Sequence, residues 1–153
     1  QTARKTTQEA FDNLLSAKSK PAIGDVLLTK DGTLGRTAVV DQDGICINQS
    51  VAVLKPKDGL LPQYLNEILN TRINQAAMIK DAGGTTIKHL YITRVPKINV
   101  FVPTIEEQQR LLKELNNFNV EGAHCEANYQ TKLQDISDLR QSLLQKAFEG
   151  ELT

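Results

Sequence analysis

Lys30, Thr33 and Arg36 stand in the stretch GDVLLTKDGTLGRTAVV, Gly24 to Val40, which holds three glycines within twelve residues between two apolar runs. Two chemistries suit such a segment: a backbone cradle for a phosphate, or a loop between strands that is presented to a larger ligand. A phosphate loop of the Walker type needs a Lys directly after its last Gly and a helix behind it. Here Arg36 follows Gly35, and the next residues, TAVV, read as a strand, so the nucleotide chemistry fails on context. A second set is GGTTIKHL, where Gly83 and Gly84 precede Thr85 and Thr86, which can cap a short helix carrying Lys88 and His89. A helix N-terminus presents free N–H groups and partial positive charge, which suits a phosphate. The plainer alternatives are a solvated turn for the first set and a structural cap for the second. Arg94, close to Val95-Pro96, ranks third.

Other chemistries lack their residues. The G-x-G-x-x-G fingerprint and the G-x-S-x-G elbow are absent. His89 and His124 lie in different segments, and neither has Cys, Asp or Glu at metal-ligand spacing. Cys46 and Cys125 match no metal or redox spacing and read as incidental thiols of a reduced, cytoplasmic protein. Asp41 and Asp43 flank a turn and read as caps of their own backbone. No cluster of carboxylates with a Lys suggests a nuclease. No catalytic centre, metal or cofactor is expected.

The 153 residues suffice for one domain with a core and an appendage. No run approaches 18 apolar residues, and QTARKTTQEAF lacks the apolar centre of a signal peptide, so no membrane partner is expected. The first residue is not Met, which suggests a processed chain or a piece of a longer one. The net charge of zero hides a split: residues 1–103 carry 13 Lys and Arg against 9 Asp and Glu, and residues 104–153 carry 5 against 9. The first part can face an anion; the second suits protein partners and would be repelled by phosphates.

These residues need elements to position them. TTQEAFDNLLSA predicts a short helix from Thr7 to Ala17, with Phe11, Leu14 and Leu15 on one face. DVLLT, RTAVV and CINQSVAVLKP predict a three-stranded meander with a hairpin turn at Asp43-Gly44. LLPQYLNEILNTRINQAAMIK switches to helical period, with Pro62 in the first turn. DAGGTTIKHL predicts a further short helical piece, and VPKINVFVPT an edge strand. From Thr104 the pattern predicts one long helix. TIEE is a capping box, no proline follows before Phe148, and Gly150 is the stop signal. Leu115, Tyr129, Leu133, Ile136, Leu143 and Ala147 fall on its apolar stripe. At about 65 Å such a helix would project from a small domain and pair with another helix. Asn116 to Gly122, with three Asn and one Gly, is where a kink or break is expected if there is one.

Four segments occur in a telling order: GDVLLTKDGTLGRTAVV, NQSVAVLKP, GGTTIKHLYITRVPKINVFVPTIEEQQRLL and LRQSLLQKAFEGEL. Together they resemble the specificity subunit of a type I restriction-modification enzyme, over nearly the whole chain. The resemblance implies an α+β fold: a small mixed α/β target recognition domain over residues 1–103, then a long projecting C-terminal helix over residues 104–153. It implies a non-catalytic protein that reads one half of a bipartite site in double-stranded DNA. Its partners would be adenine methyltransferase (modification) subunits and, through them, restriction subunits. Long helices in such subunits pair antiparallel as a coiled-coil spacer. The chain departs from this pattern in having one recognition domain whose opening portion is missing and one long helix, so a fragment or half-subunit form is expected. That form would pair as a homodimer through the stripe named above. In this light Lys30, Thr33 and Arg36, then Gly84, Thr85, Thr86, Lys88, His89 and Arg94, are the expected DNA contacts. The alternative is a truncated piece that acts only in helical assembly and does not bind DNA.

Overall fold

The computed structural model describes residues 5–80, 89, 90, 95 and 98–150. Helix α1 spans Gln8–Asn13, and Thr7 caps it by accepting from the Ala10 N–H at 3.2 Å. It is shorter than the periodicity predicts. Ser16 is already extended and opens a separate 3-10 turn, Ala17–Ser19. Lys20 stabilises the early stop, because its Nζ donates to the Asp12 carbonyl at 3.2 Å and lies 5.0 Å from the Phe11 ring centroid.

Strands β1 (Val26–Thr29), β2 (Thr37–Val39) and β3 (Val51–Leu54) form an antiparallel sheet in the order β2-β1-β3. Val26 faces Val39 on one side and Leu54 on the other. This corrects the meander. The Asp43-Gly44 turn exists, with Gly44 at φ +77°, but the strands on its two sides do not pair. The reason is burial: β1 carries Val26 and Leu28, both fully buried, and it takes the central place where each neighbour can cover it. Leu69, Met78 and Leu90 complete the core beneath the sheet, with Leu34, Val39, Leu54, Leu65, Val95 and Ile98 packed around it.

The expected single helix after Leu61 is two: α2 (Pro62–Asn70), with Pro62 in its first turn, and α3 (Arg72–Lys80). Thr71 between them is extended, with ψ 145°. Its hydroxyl donates to the Ile68 carbonyl at 2.8 Å and accepts from the Asn74 N–H at 3.4 Å, so one side chain ends α2 and starts α3. Asn74 and Gln75 then donate to the Ile68 and Leu69 carbonyls at 2.7 and 2.9 Å, capping the open end of α2.

No strand forms over residues 98–104, contrary to the edge-strand expectation. Pro103 has no N–H to give a ladder. The carbonyls of Phe101 and Pro103 are taken by the Tyr64 hydroxyl at 3.0 Å and the Gln108 amide at 2.8 Å. Of the short helical piece expected over residues 81–90, residues 81–88 lie outside the described residues, and His89, expected on that helix, instead forms an isolated antiparallel bridge with Asp31.

Helix α4 runs unbroken from Ile105 to Phe148, 44 residues or about 66 Å. The Asn116 to Gly122 segment is helical throughout. Thr104 accepts from the Glu107 N–H at 3.4 Å, and Gly150, at φ +77°, ends the helix by donating to the Ala147 carbonyl. The Glu106 carboxyl is held below its ordinary value by its own backbone N–H and by the Thr104 hydroxyl. The chain divides into two compact units, with the boundary between Gln109 and Arg110. In the first, Gln108 of α4 is fully buried. It accepts from the Leu61 N–H at 2.9 Å and donates to the Gly59 carbonyl at 2.7 Å, as well as to Pro103. In the second, Tyr129, Leu133, Ile136 and Leu143 are exposed, as are Leu115 and Ala147. No helix among the described residues is long and apolar enough to cross a membrane.

Candidate nucleic-acid interface

The loop between β1 and β2 is fixed mainly by Thr29. Its N–H donates to the Arg36 carbonyl and its carbonyl accepts from the Gly35 N–H, at 2.9 and 3.0 Å. Its hydroxyl accepts from the Arg36 N–H at 3.0 Å and donates to the Thr33 carbonyl. The chain can close this way because Gly32 and Gly35 take φ of +76° and +79°, in the left-handed region. Gln75 of α3 reaches the Gly35 carbonyl at 2.8 Å, and Asn70 of α2 reaches the Thr37 hydroxyl at 2.8 Å. Thr33 and Arg36 are exposed on this braced loop.

Lys30 opens the loop. Its N–H donates to Ser50 and its carbonyl accepts from Leu90, both at 2.8 Å. Beside it, Asp31 forms an isolated antiparallel bridge with His89, and the His89 Nδ1 lies 2.6 Å from Asp31 Oδ1. The Lys30 ammonium is 4.0 Å from the other carboxylate oxygen. The hydrogen bond with His89 holds the Asp31 carboxyl below its ordinary value of 3.8; partial burial opposes it, and Lys30 and the Ser50 hydroxyl assist.

The two residue sets singled out in the sequence thus meet at Asp31 and His89. Lys30, Thr33 and Arg36 share one loop, and His89 is anchored to it. Gly84, Thr85, Thr86, Lys88 and Arg94 lie outside the described residues. Asp31, Gln75 and Gln108 were not singled out. Asp31 stands in the quoted GDVLLTKDGTLGRTAVV stretch and Gln108 in the quoted segment ending PTIEEQQRLL, yet neither residue type announces a partner tens of positions away.

Residues 3–133 match the family model described as the type I restriction modification DNA specificity domain. The chain belongs to this family. Curated specificity subunits are similar to it over 63 to 98% of its length. It is 28% identical over 152 residues to the EcoBI type I restriction enzyme specificity subunit of Escherichia coli, covering 98% of this chain and 32% of that protein. It is 27% identical over 96 residues to the MjaIX specificity subunit of Methanocaldococcus jannaschii, covering 63% of this chain and 22% of that one. The specificity-domain chain therefore spans about a third or less of the length of these curated relatives. Its fold matches a chain from a solved structure concerned with complex assembly and conformational transition of the type I R-M system. The TM-score is 0.67 at 24% identity, over 90% of this chain and 33% of that one.

Proposed function

We propose that this chain is a DNA-sequence-recognition module of a type I restriction-modification system, reading one half of a bipartite site. Residues 1–103 are the recognition domain and residues 104–153 the spacer. The observation that carries the reading is the meeting of the two candidate segments. A glycine-shaped loop bearing Lys30, Thr33 and Arg36 is braced by Asn70 and Gln75, and Asp31 of that loop holds His89. Rigid support of this kind suits side chains that must meet base edges and phosphates in register. Lys30, Thr33, Arg36 and His89 are the contacts this geometry supports, with Gly84, Thr85, Thr86, Lys88 and Arg94 carried by the resemblance.

The module is non-catalytic and cytoplasmic, uses no cofactor, and docks methyltransferase subunits that bring the restriction subunits with them. The exposed stripe of α4 supports a homodimer through helix pairing. Methylome sequencing of cells carrying the intact gene with its methyltransferase partner tests the reading. A bipartite methylation motif that appears with the gene and vanishes when it is deleted is expected; the same methylome in both strains would overturn it. The assembly-only alternative is favoured by the stripe alone, and it predicts that deleting the β1–β2 loop leaves the motif unchanged.

A further inference from the structure

The segment NQS, Asn48 to Ser50, belongs to one of the stretches that carry the family resemblance, yet the contacts named above involve only its Ser50. It borders a groove of about 500 Å³ whose lining includes Lys18, Lys30, Ile47, Asn48, Gln49 and Val51. Among the described residues, no Asp or Glu lines this groove. An adjoining concavity of about 350 Å³ shares Lys18 and Val51 and adds Lys20 and Lys55. Among the described residues the acidic one lining that second concavity is Asp25, which is buried and accepts from the Ala22 N–H at 2.9 Å.

The walls of the groove are tied together. The Ile47 N–H donates to the Ser19 carbonyl at 3.0 Å, which holds the turn bearing Lys18. The Lys30 N–H donates to the Ser50 carbonyl at 2.8 Å, and Lys30 itself lines the groove. The groove is thereby continuous with the loop assigned to DNA.

Between these anchors the two amides differ. Asn48 Oδ1 accepts from the Ser50 N–H at 3.0 Å, and its carbonyl accepts from Val51, so Asn48 shapes the turn into β3. Gln49 is exposed, and its amide has no hydrogen-bond partner among the described residues. Bidentate recognition of adenine in the major groove needs a free acceptor and a free donor on one amide, for N6 and N7. Gln49 has both, and Asn48 does not. We propose that Gln49 reads an adenine edge in this groove, with Lys18 and Lys30 supplying phosphate contacts beside it. This rests on the DNA-recognition reading and names a base contact within it.

The test uses the assembled enzyme and duplexes carrying the half-site found by methylome sequencing, together with every single base-pair change in it. Gln49→Ala is expected to lower discrimination about 5- to 150-fold at one A·T position and leave the other positions alone. Gln49→Glu should move preference at that position towards C·G, because a carboxylate accepts from cytosine N4. Lys18→Ala should weaken all duplexes alike and reduce the magnitude of the logarithmic salt slope by about 0.9. Native preference at every position in both Gln49 variants would overturn the assignment, as would a uniform loss across all duplexes. Altered complex assembly with unchanged base preference would give the groove to a protein partner and overturn it too. If the native enzyme discriminates among no duplexes, the DNA-reading function falls, and this inference with it. If native discrimination survives Gln49→Ala, the inference alone falls.

Discussion

At Gly35 an added Cβ would lie 2.5 Å from the Gln75 Oε1, at a backbone φ of +79°. At Gly32, with φ +76°, nothing lies within 4 Å of such an atom. Both positions strain any other residue by about 1–2 kcal/mol. Only at Gly35 must Gln75 also shift, loosening its bonds to Gly35 and Leu69. Gly35→Ala should therefore lower the urea midpoint more than Gly32→Ala. Asp31 makes a pH-dependent contribution. Its carboxyl titrates below its ordinary value of 3.8 in the fold, so its stabilisation is present above that value. It is lost as pH falls through the lowered one. The stability difference between the native chain and Asp31→Asn should thus be full near neutrality and shrink as acid protonates the native carboxyl. Denaturant titrations at a series of pH values would read this, and a difference that stays constant into acid would contradict it. Lys30, Thr33 and Arg36 were legible as loop residues because glycine spacing is a local signal. The Asp31–His89 and Gln75–Gly35 contacts were not legible, because their partners lie 58 and 40 positions apart and a polar side chain carries no mark of a distant mate.

At the scale of elements, local chemistry was most readable where it decides alone. Thr7, Pro62, Thr104 and Gly150 each sit at the helix end their residue type implies. The misreadings came where tertiary contacts override a local pattern. Apolar periodicity runs straight through Thr71, but the Thr71 hydroxyl and the Asn74 amide serve the Ile68 carbonyl better than a continued helix would. Strand order was invisible because a good turn at Asp43-Gly44 says nothing of which neighbour best covers Val26 and Leu28. Asn116 to Gly122 stays helical because low propensity costs only tenths to about 1 kcal/mol per residue within a long cooperative helix. Gln108 joins three backbone groups from two chain segments at the start of α4. Gln108→Leu keeps the volume and strands these groups in a buried site, which should cost about 1–3 kcal/mol in equilibrium unfolding. An unchanged unfolding midpoint would show that water satisfies them instead.

For the whole molecule, the proposed division of work between the two parts of the chain draws on the exposed stripe of α4 and the split in charge. Leu133, Ile136, Leu139 and Leu143, each at least 46% exposed, form an apolar face of the kind soluble chains cover. A second copy laid antiparallel would cover it with its own equivalent and bring two recognition units into one particle. Ile136→Asp with Leu143→Asp places like charges at that seam and should give a monomer in sedimentation velocity. A native chain that sediments as a monomer at tens of micromolar would remove the dimer and leave DNA recognition standing. The family was legible from the order of its four quoted segments along the chain. The recognised base sequence was not, because it depends on where a few side chains aim. Recognition itself is tested most directly by the affinity of the assembled enzyme for its duplex at two salt concentrations, with Lys30, Arg36 and Lys88 replaced together by Ala. DNA contact through these segments predicts weaker binding. It also predicts a logarithmic salt slope reduced in magnitude by about 0.9 for each phosphate contact removed. Native affinity and native slope at both salt concentrations would contradict it.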